Sequence, residues 1–267
     1  MILLTGMSAG RVNLLQNDFA AGLPSPFAFL GLMASLAPAL GVPRWQIGVL
    51  PIIHHLSISD GRTKGGQERD SSRVKSLEIV EDMRGSVSFS LLVDPGRQVD
   101  DELLGELVGR SRLAGGHIFS GRGGRDIRSV PVTPDGSAMN RIARGRVIAP
   151  IEGLPTARGH GMDLSCLADA LYPLDRSAAP GWRVPVAAGY ALLEDPSAVR
   201  PRRGVRDATL PHVFAEPIAG VAELISPRNA RLTTLTADGL RRLMWRYSTA
   251  PAAAGHCGLV AAHPFYL

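Results

Sequence analysis

In the run Ser86 to Val93, Val87, Phe89 and Leu91 alternate with serines, and this alternation commits the chain to a sheet. A period of two sends the apolar side chains to one face of an extended strand and the hydroxyls to the other. Such a strand buries nothing alone, so it needs partner strands beside it and helices over its apolar face. Partner strands are readable on both sides. Ile2 to Thr5 and Val12 to Leu15 form an opening strand with an irregularity around Gly10, and Gln46 to Ser59 is rich in Ile, Val and Leu. Leu77 to Val80 begins the region that Ser86 to Val93 continues, and His117 to Ser120 reads as a short last strand.

The helices come between. Gly22-Leu23-Pro24-Ser25-Pro26 is a rigid turn in which Ser25 can cap a helix and Pro26 suits its first turn. Phe27, Leu30, Met33, Ala34 and Leu40 give that helix an apolar stripe, and Gly41 and Pro43 stop it. Asp94-Pro95-Gly96 turns the chain, and Asp100, Asp101 and Glu102 suit the positive start of a second helix, whose apolar face is Leu103, Leu104, Leu107 and Val108. Gly115 and Gly116 end it. Strand, helix, strand, strand, helix, strand is the split βαβ order of ferredoxin-like and RRM-type domains. The expected fold is therefore α+β: a ferredoxin-like (RRM/RAMP-type) βαββαβ domain over residues 1–120, with an antiparallel sheet, and an irregular C-terminal extension over 121–267 packed on it.

In the extension, Arg122 to Arg146 is rich in Gly, Arg and Pro, Met162 to Leu171 predicts a short helix, and Arg183 to Leu193 a strand with Gly189 inside it. Val213 to Ile225 predicts another helix, stopped by Pro227. Asp60 to Lys75 holds Gly, Ser and charge with almost nothing apolar, and predicts a projecting, mobile surface loop.

A chain of 267 residues, 45% hydrophobic and 20% charged, can build a real core and lies far from the composition of disorder. The formal charge is +5, and Lys64 and Lys75 are the only lysines among 29 basic residues. Arginine presents a planar fork that matches phosphate oxygens and stacks on bases. An arginine-rich composition explains the ratio but not the clustering. The basic residues gather in three irregular stretches: Arg62, Lys64, Arg69, Arg73 and Lys75; Arg122, Arg125 and Arg128; Arg200, Arg202, Arg203 and Arg206. Loops of this kind can grip a phosphate backbone; the alternative is a set of solvated loops. Aromatic residues are 5% of the chain, so binding by backbone, loops and shape is favoured over a base-stacking sheet.

Catalytic signals are weak. His54 and His55 fall on a strand, and His117, His160, His212, His256 and His263 are scattered without ligand spacing. Cys166 and Cys257 make neither a disulfide framework nor a zinc pattern, which fits a reducing cytosol. No metal, cofactor or nucleophile motif is expected. Met1 to Gly10 lacks the pattern of a secretory signal, and Phe27 to Val42 is too short and too interrupted by Pro38 to span a membrane.

Several segments, taken in order, resemble one family: the ferredoxin-like subunit, called Csy-two or Cas-five, that holds the 5′ handle of the guide RNA in type I-F CRISPR effector complexes. The Gly22 to Pro26 turn running into Phe27-Ala28-Phe29-Leu30-Gly31 is similar to the family's Gly-Phe-Pro-Ser-Pro turn and helix, and Asn13 falls at its asparagine-rich strand end. His54, Glu81-Asp82-Met83-Arg84, Ser90-Leu91-Leu92 and Arg112-Leu113-Ala114-Gly115-Gly116 resemble further family segments. So do Pro180-Gly181-Trp182, Val184-Pro185, Ala188-Gly189-Tyr190, Leu224 to Arg228 and Leu243-Met244-Trp245. Two departures stand out: Ala21 replaces the family's Trp, and the region from Gly121 to Ala179 is shortened, as in a compact variant system.

The resemblance implies a non-catalytic subunit of a cytoplasmic antiviral surveillance (Cascade) complex. Its partners would be the crRNA 5′ handle, the large (Cas-eight-like) subunit and the backbone (Cas-seven-like) subunit, with target DNA near the PAM a further candidate. The residues expected to touch RNA are Arg11, Asn13, Ser25, Arg62, Lys64, Arg69, Arg73, Arg84, Arg122, Arg125 and Arg128. The alternative is a ferredoxin-like endoribonuclease that processes precursor crRNA with a histidine as acid or base. In such nucleases that histidine commonly lies on or near the first helix, and Phe27 to Leu40 contains none. A third reading, a stand-alone RNA-binding protein, differs in exposing no apolar partner surface.

Overall fold

The computed structural model describes residues 1–16, 21–59, 67–70, 73–76, 83–120, 126–151, 164–174, 181–199, 202, 204–205, 209–251 and 257–261. The first region runs β1 (Ile2–Asn13), α1 (Pro26–Leu40), β2 (Gly48–Ile58), β3 (Gln67–Asp70), β4 (Arg73–Ser76), β5 (Arg84–Asp94), α2 (Asp101–Gly109), β6 (Arg112–Leu113) and β7 (Gly116–Ser120). The second runs β8 (Arg128–Pro131), β9 (Arg146–Pro150), α3 (Leu164–Leu171), β10 (Trp182–Leu192), β11 (Ala215–Ile225), α4 (Ala230–Thr233), α5 (Ala237–Arg242), β12 (Tyr247–Pro251) and β13 (Cys257–Ala261). Short 3-10 turns occupy Arg44–Gln46 and Gly136–Arg141.

Among the described residues, eleven strands join in one antiparallel sheet, in the order β12-β13-β10-β11-β9-β2-β5-β1-β7-β6, with β8 also on β1. The fold is thus mixed α and β around an antiparallel sheet. In the first region β5 lies between β2 and β1, in registers such as Leu50↔Leu92 and Leu4↔Leu91, and β7 pairs the other edge of β1. The irregularity expected near Gly10 is real: the β1–β5 register shifts between Ala9 and Val12, where Arg11 has φ 58°.

The period of two decides which face each side chain takes. Val87, Phe89, Leu91 and Val93 point to one face with Leu4, Met7 and Val49, under Phe29, Leu30 and Met33 of α1 and Leu104 and Val108 of α2. Both helices form where capping chemistry allows: Ser25 Oγ accepts from Phe27 N, Gly41 closes α1 with φ 62°, and Asp100 caps α2. The opposite face is apolar at one end only. There Leu3, Leu50, Ile52 and Leu92 are covered by Met139, Ile142, Leu232, Leu240 and Met244 from the 3-10 turn, α4, α5 and the residues after α5.

Trp245, fully buried, joins the two regions. Its N–H and carbonyl pair with Val49 of β2, both at 2.9 Å, and its indole Nε1 donates to Ile148 O of β9 at 2.8 Å.

Two expectations are corrected. Val213 to Ile225 is not a helix: Ala215–Ile225 is strand β11, between β10 and β9. Ile218, Val221, Ala222 and Ile225 happen to fit helical spacing, but Pro217 and Gly220 disfavour a helix. Gly220 also lies so close to Ala188 that a Cβ there would approach 2.5 Å from its Cβ, a cross-strand fit only glycine allows. The expected loop Asp60 to Lys75 contains most of the β3–β4 pair, a separate two-stranded antiparallel sheet with its own backbone pairing. Leu77 to Val80 lies outside the described residues.

Candidate functional site

Past its apolar end, the second sheet face turns polar. The serines that alternate with Val87 and Phe89 come up on this side with Ser8 of β1, and Ser8 Oγ and Ser88 Oγ are 2.9 Å apart. His54, two residues beyond Ile52 on β2, stands beside them. Among the described residues no helix covers this floor, and a cleft of about 790 Å³ opens over Ser8, Ser88, Ser90 and His54. Its rim carries Arg128 of β8, Arg141 at the end of the 3-10 turn, Arg144 in the segment leading to β9, and Asp126. All three arginines are exposed, with no side-chain hydrogen bond or ion pair among the described residues.

His54 is held at both ring nitrogens. Nδ1 lies 2.8 Å from the Arg144 carbonyl and Nε2 2.7 Å from Ser90 Oγ. A carbonyl only accepts, so Nδ1 carries the proton and Nε2 accepts from the Ser90 hydroxyl. Burial lowers the His54 pKa from its ordinary 6.5, against the Arg144 carbonyl, which raises it, so the neutral ring is favoured at neutral pH. The cleft therefore has a neutral hydroxyl floor and a cationic rim, an arrangement suited to a sugar-phosphate strand lying along it.

Of the described residues expected to touch RNA, only Arg128 lines this cleft. Arg11 is exposed at the β1 irregularity, and Arg84 opens β5 opposite Asn13. Asn13 Oδ1 accepts from Leu15 N, and the Ser25 hydroxyl caps α1 and donates to Ala187 O of β10 at 2.8 Å, so both have bonds within the fold. Arg69 and Arg73 lie on the β3–β4 hairpin, in the pairs Arg69↔Val74 and Asp70↔Arg73. Arg62, Lys64, Arg122 and Arg125 lie outside the described residues. Arg141 and Arg144 were missed. The signal for them was the serine alternation, which marks one face of β5 as polar, followed by arginines in the segment that crosses it.

Among the described residues there is no group of three or more His, Cys, Asp or Glu able to hold a metal, and no helix is long and apolar enough to cross a membrane. Away from the cleft, large apolar side chains stand in solvent: Tyr172 is 72% exposed, Leu174 fully so and Trp182 79%.

A family model described as CRISPR-associated protein (Cas_Csy2) matches residues 168–255. The matched stretch runs from the end of α3 through β10, β11, α4 and α5 and on past β12, and contains Gly181-Trp182, Ala188-Gly189-Tyr190 and Leu243-Met244-Trp245. The match covers about a third of the 267 residues, and over that stretch the chain is similar to this CRISPR-associated family. No curated protein matches the chain.

Proposed function

We propose that this chain is a non-catalytic, cytoplasmic subunit of a type I-F CRISPR surveillance complex, and that it binds the 5′ handle of the crRNA along the arginine-rimmed cleft. The observation that carries this reading is the cleft itself: three exposed arginines, unpaired among the described residues, over a hydroxyl floor on the open face of the sheet. The β2-β5-β1-β7 order, with two helices on one face, supports reading the first region as ferredoxin-like, and RRM-type domains receive RNA on the open face of their sheet. Tyr172, Leu174 and Trp182 suit docking on the large or the backbone subunit. Target DNA near the PAM is a further candidate partner.

The rival reading is an endoribonuclease using His54. Its Nδ1 is anchored by Arg144 O and its Nε2 accepts from Ser90 Oγ, as a base on a hydroxyl would, but Ser90 is 2% exposed in the floor, which disfavours that hydroxyl as a group presented to RNA. The test is salt-dependent binding of a labelled handle RNA by the full chain. Replacing Arg128, Arg141 and Arg144 by Ala should weaken binding and flatten the log K against log salt slope by about 0.7 for each phosphate no longer neutralised. An unchanged slope overturns the RNA-groove reading, and cleavage of precursor RNA by the purified protein restores the enzyme.

A further inference from the structure

Arginines on a loose segment grip phosphate poorly, because the segment and its long side chains must be ordered on binding. Arg141 and Arg144 sit on residues 141–146, a strap that crosses from the 3-10 turn to β9. Its ends are fixed: Ile142 is buried and its N–H donates to Met139 O, while Arg146 pairs with Ile53 of β2. Between them, the Arg144 carbonyl accepts from His54 Nδ1, and among the described residues His54 is the one side chain from outside the strap that bonds it. Gly145 permits the approach. It has φ 130°, and a Cβ there would lie 2.9 Å from both His54 Nδ1 and Ile52 Cγ2. On its far side His54 is fastened by Ser90, 2% exposed in the floor, so a chain of bonds runs from β5 through β2 to the strap.

Resting on the RNA-groove reading, we infer that His54 is the positioning residue of the cleft: it buckles the strap to the sheet, so that Arg141 and Arg144 face Arg128 at a fixed separation before RNA arrives. Preorganisation of this kind raises affinity without adding a contact to the ligand. It also makes binding respond to pH. The groups facing His54 are Arg128 from β8, Asp126 just before it, and Arg141 and Arg144 from the strap, while β1 and β5 present serines. A protonated ring donates at both nitrogens, to Arg144 O and to Ser90 Oγ, which changes from donor to acceptor. The buckle survives and the cleft gains a cation, so affinity for a polyanion rises as pH falls.

The experiment measures anisotropy of a fluorescent single-stranded handle RNA bound by the full chain, held with its large subunit if it needs one, from pH 8 to pH 6 and across salt. His54→Ala is expected to weaken binding about five- to tenfold, the size of one missing hydrogen bond, with the salt slope unchanged because no arginine is removed. His54→Gln, whose amide can donate to Arg144 O and accept from Ser90, should recover to within about twofold of wild type at pH 8 and show no rise on acidification. Should His54→Ala fail to fold, Ser90→Ala gives the same reading at about two- to threefold. If the His54 and Ser90 variants match wild type at every pH while the triple arginine variant is weakened, the buckle is wrong and the RNA groove stands. If the arginine variant also binds like wild type, the groove itself falls.

Discussion

The two regions of the sheet solve the burial problem differently. In the first, β1, β2 and β5 carry Val, Ile, Leu and Phe on one face, and α1 and α2 seal them into a core that includes fully buried Phe29 and Phe89. In the second, β10 and β11 are equally long but built from Ala, Gly, Pro and Val, and α3 adds only a small cluster of Ile151, Ala170 and Val221. Tyr172, Leu174, Trp182, Leu193 and Phe214 stay exposed there. The first region is sealed by its own helices; the second holds its strands by backbone pairing and by the seam with the first, where Trp245 is buried, while Tyr172, Trp182 and Phe214 stay in solvent among the described residues.

The seam is where this comparison breaks most readily. Trp245→Ala should cost about 3–5 kcal/mol, the range for emptying a buried aromatic site, and should separate one denaturant transition into two, read by far-ultraviolet circular dichroism and tryptophan fluorescence. A single transition with an unchanged midpoint would mean that the regions do not depend on each other through this residue. A smaller effect belongs to the first region. Because burial lowers the His54 pKa below its unfolded value near 6.5, the unfolded chain takes up the proton first; His54 therefore contributes stability that is complete above pH 6.5 and shrinks as pH falls below it. Thermal melts from pH 8 to pH 5 should show a steeper loss for wild type than for His54→Gln. The smallest effect sharpens the contrast. Exchanging Leu174 and Trp182 for Ser should move stability by less than about 0.5 kcal/mol while impairing assembly with the large subunit, measured by co-purification. A larger loss of stability would show that these groups already serve the chain's own fold.

The sequence is legible where one face is buried and the other wet. The alternation around Phe89, the Ser25 cap, the acidic helix start at Asp100 to Glu102 and the Gly41 stop all correspond to observed elements. The short helix near Leu164 and the strand through Gly189 are found as well, with Gly189 at a register shift against β11. Legibility fails at β11, where Val221, Ala222 and Glu223 are all buried and a strand covered on both faces shows no alternation. It fails again at the cleft. Charge clustering points to the runs holding Arg62 and Arg122; Arg141, Arg144 and Arg146 form a further short basic run, but it is the strap's path over β2 and β5 that brings Arg141 and Arg144 to Arg128. His54 can be picked out as the residue to test, yet its ties to Ser90 and Arg144 depend on which way a strand side chain points, and one sequence does not show that.

The pairing of Val49 with Trp245 also sets an order of events during synthesis. Strand β2 is made early, but the backbone partner that fixes its first residues, and the indole that ties β9 beside it, come from late in the chain. Contacts between such distant positions must wait for a large loop to close, which slows folding far more than it weakens the finished fold. While the ribosome is still making the second region, the β2 edge that will receive β9 stands open with Ile52 and Ile53 beside it, a template for unwanted strand pairing. The nascent chain should therefore depend on chaperones, or on a partner assembling alongside it, until Trp245 has emerged.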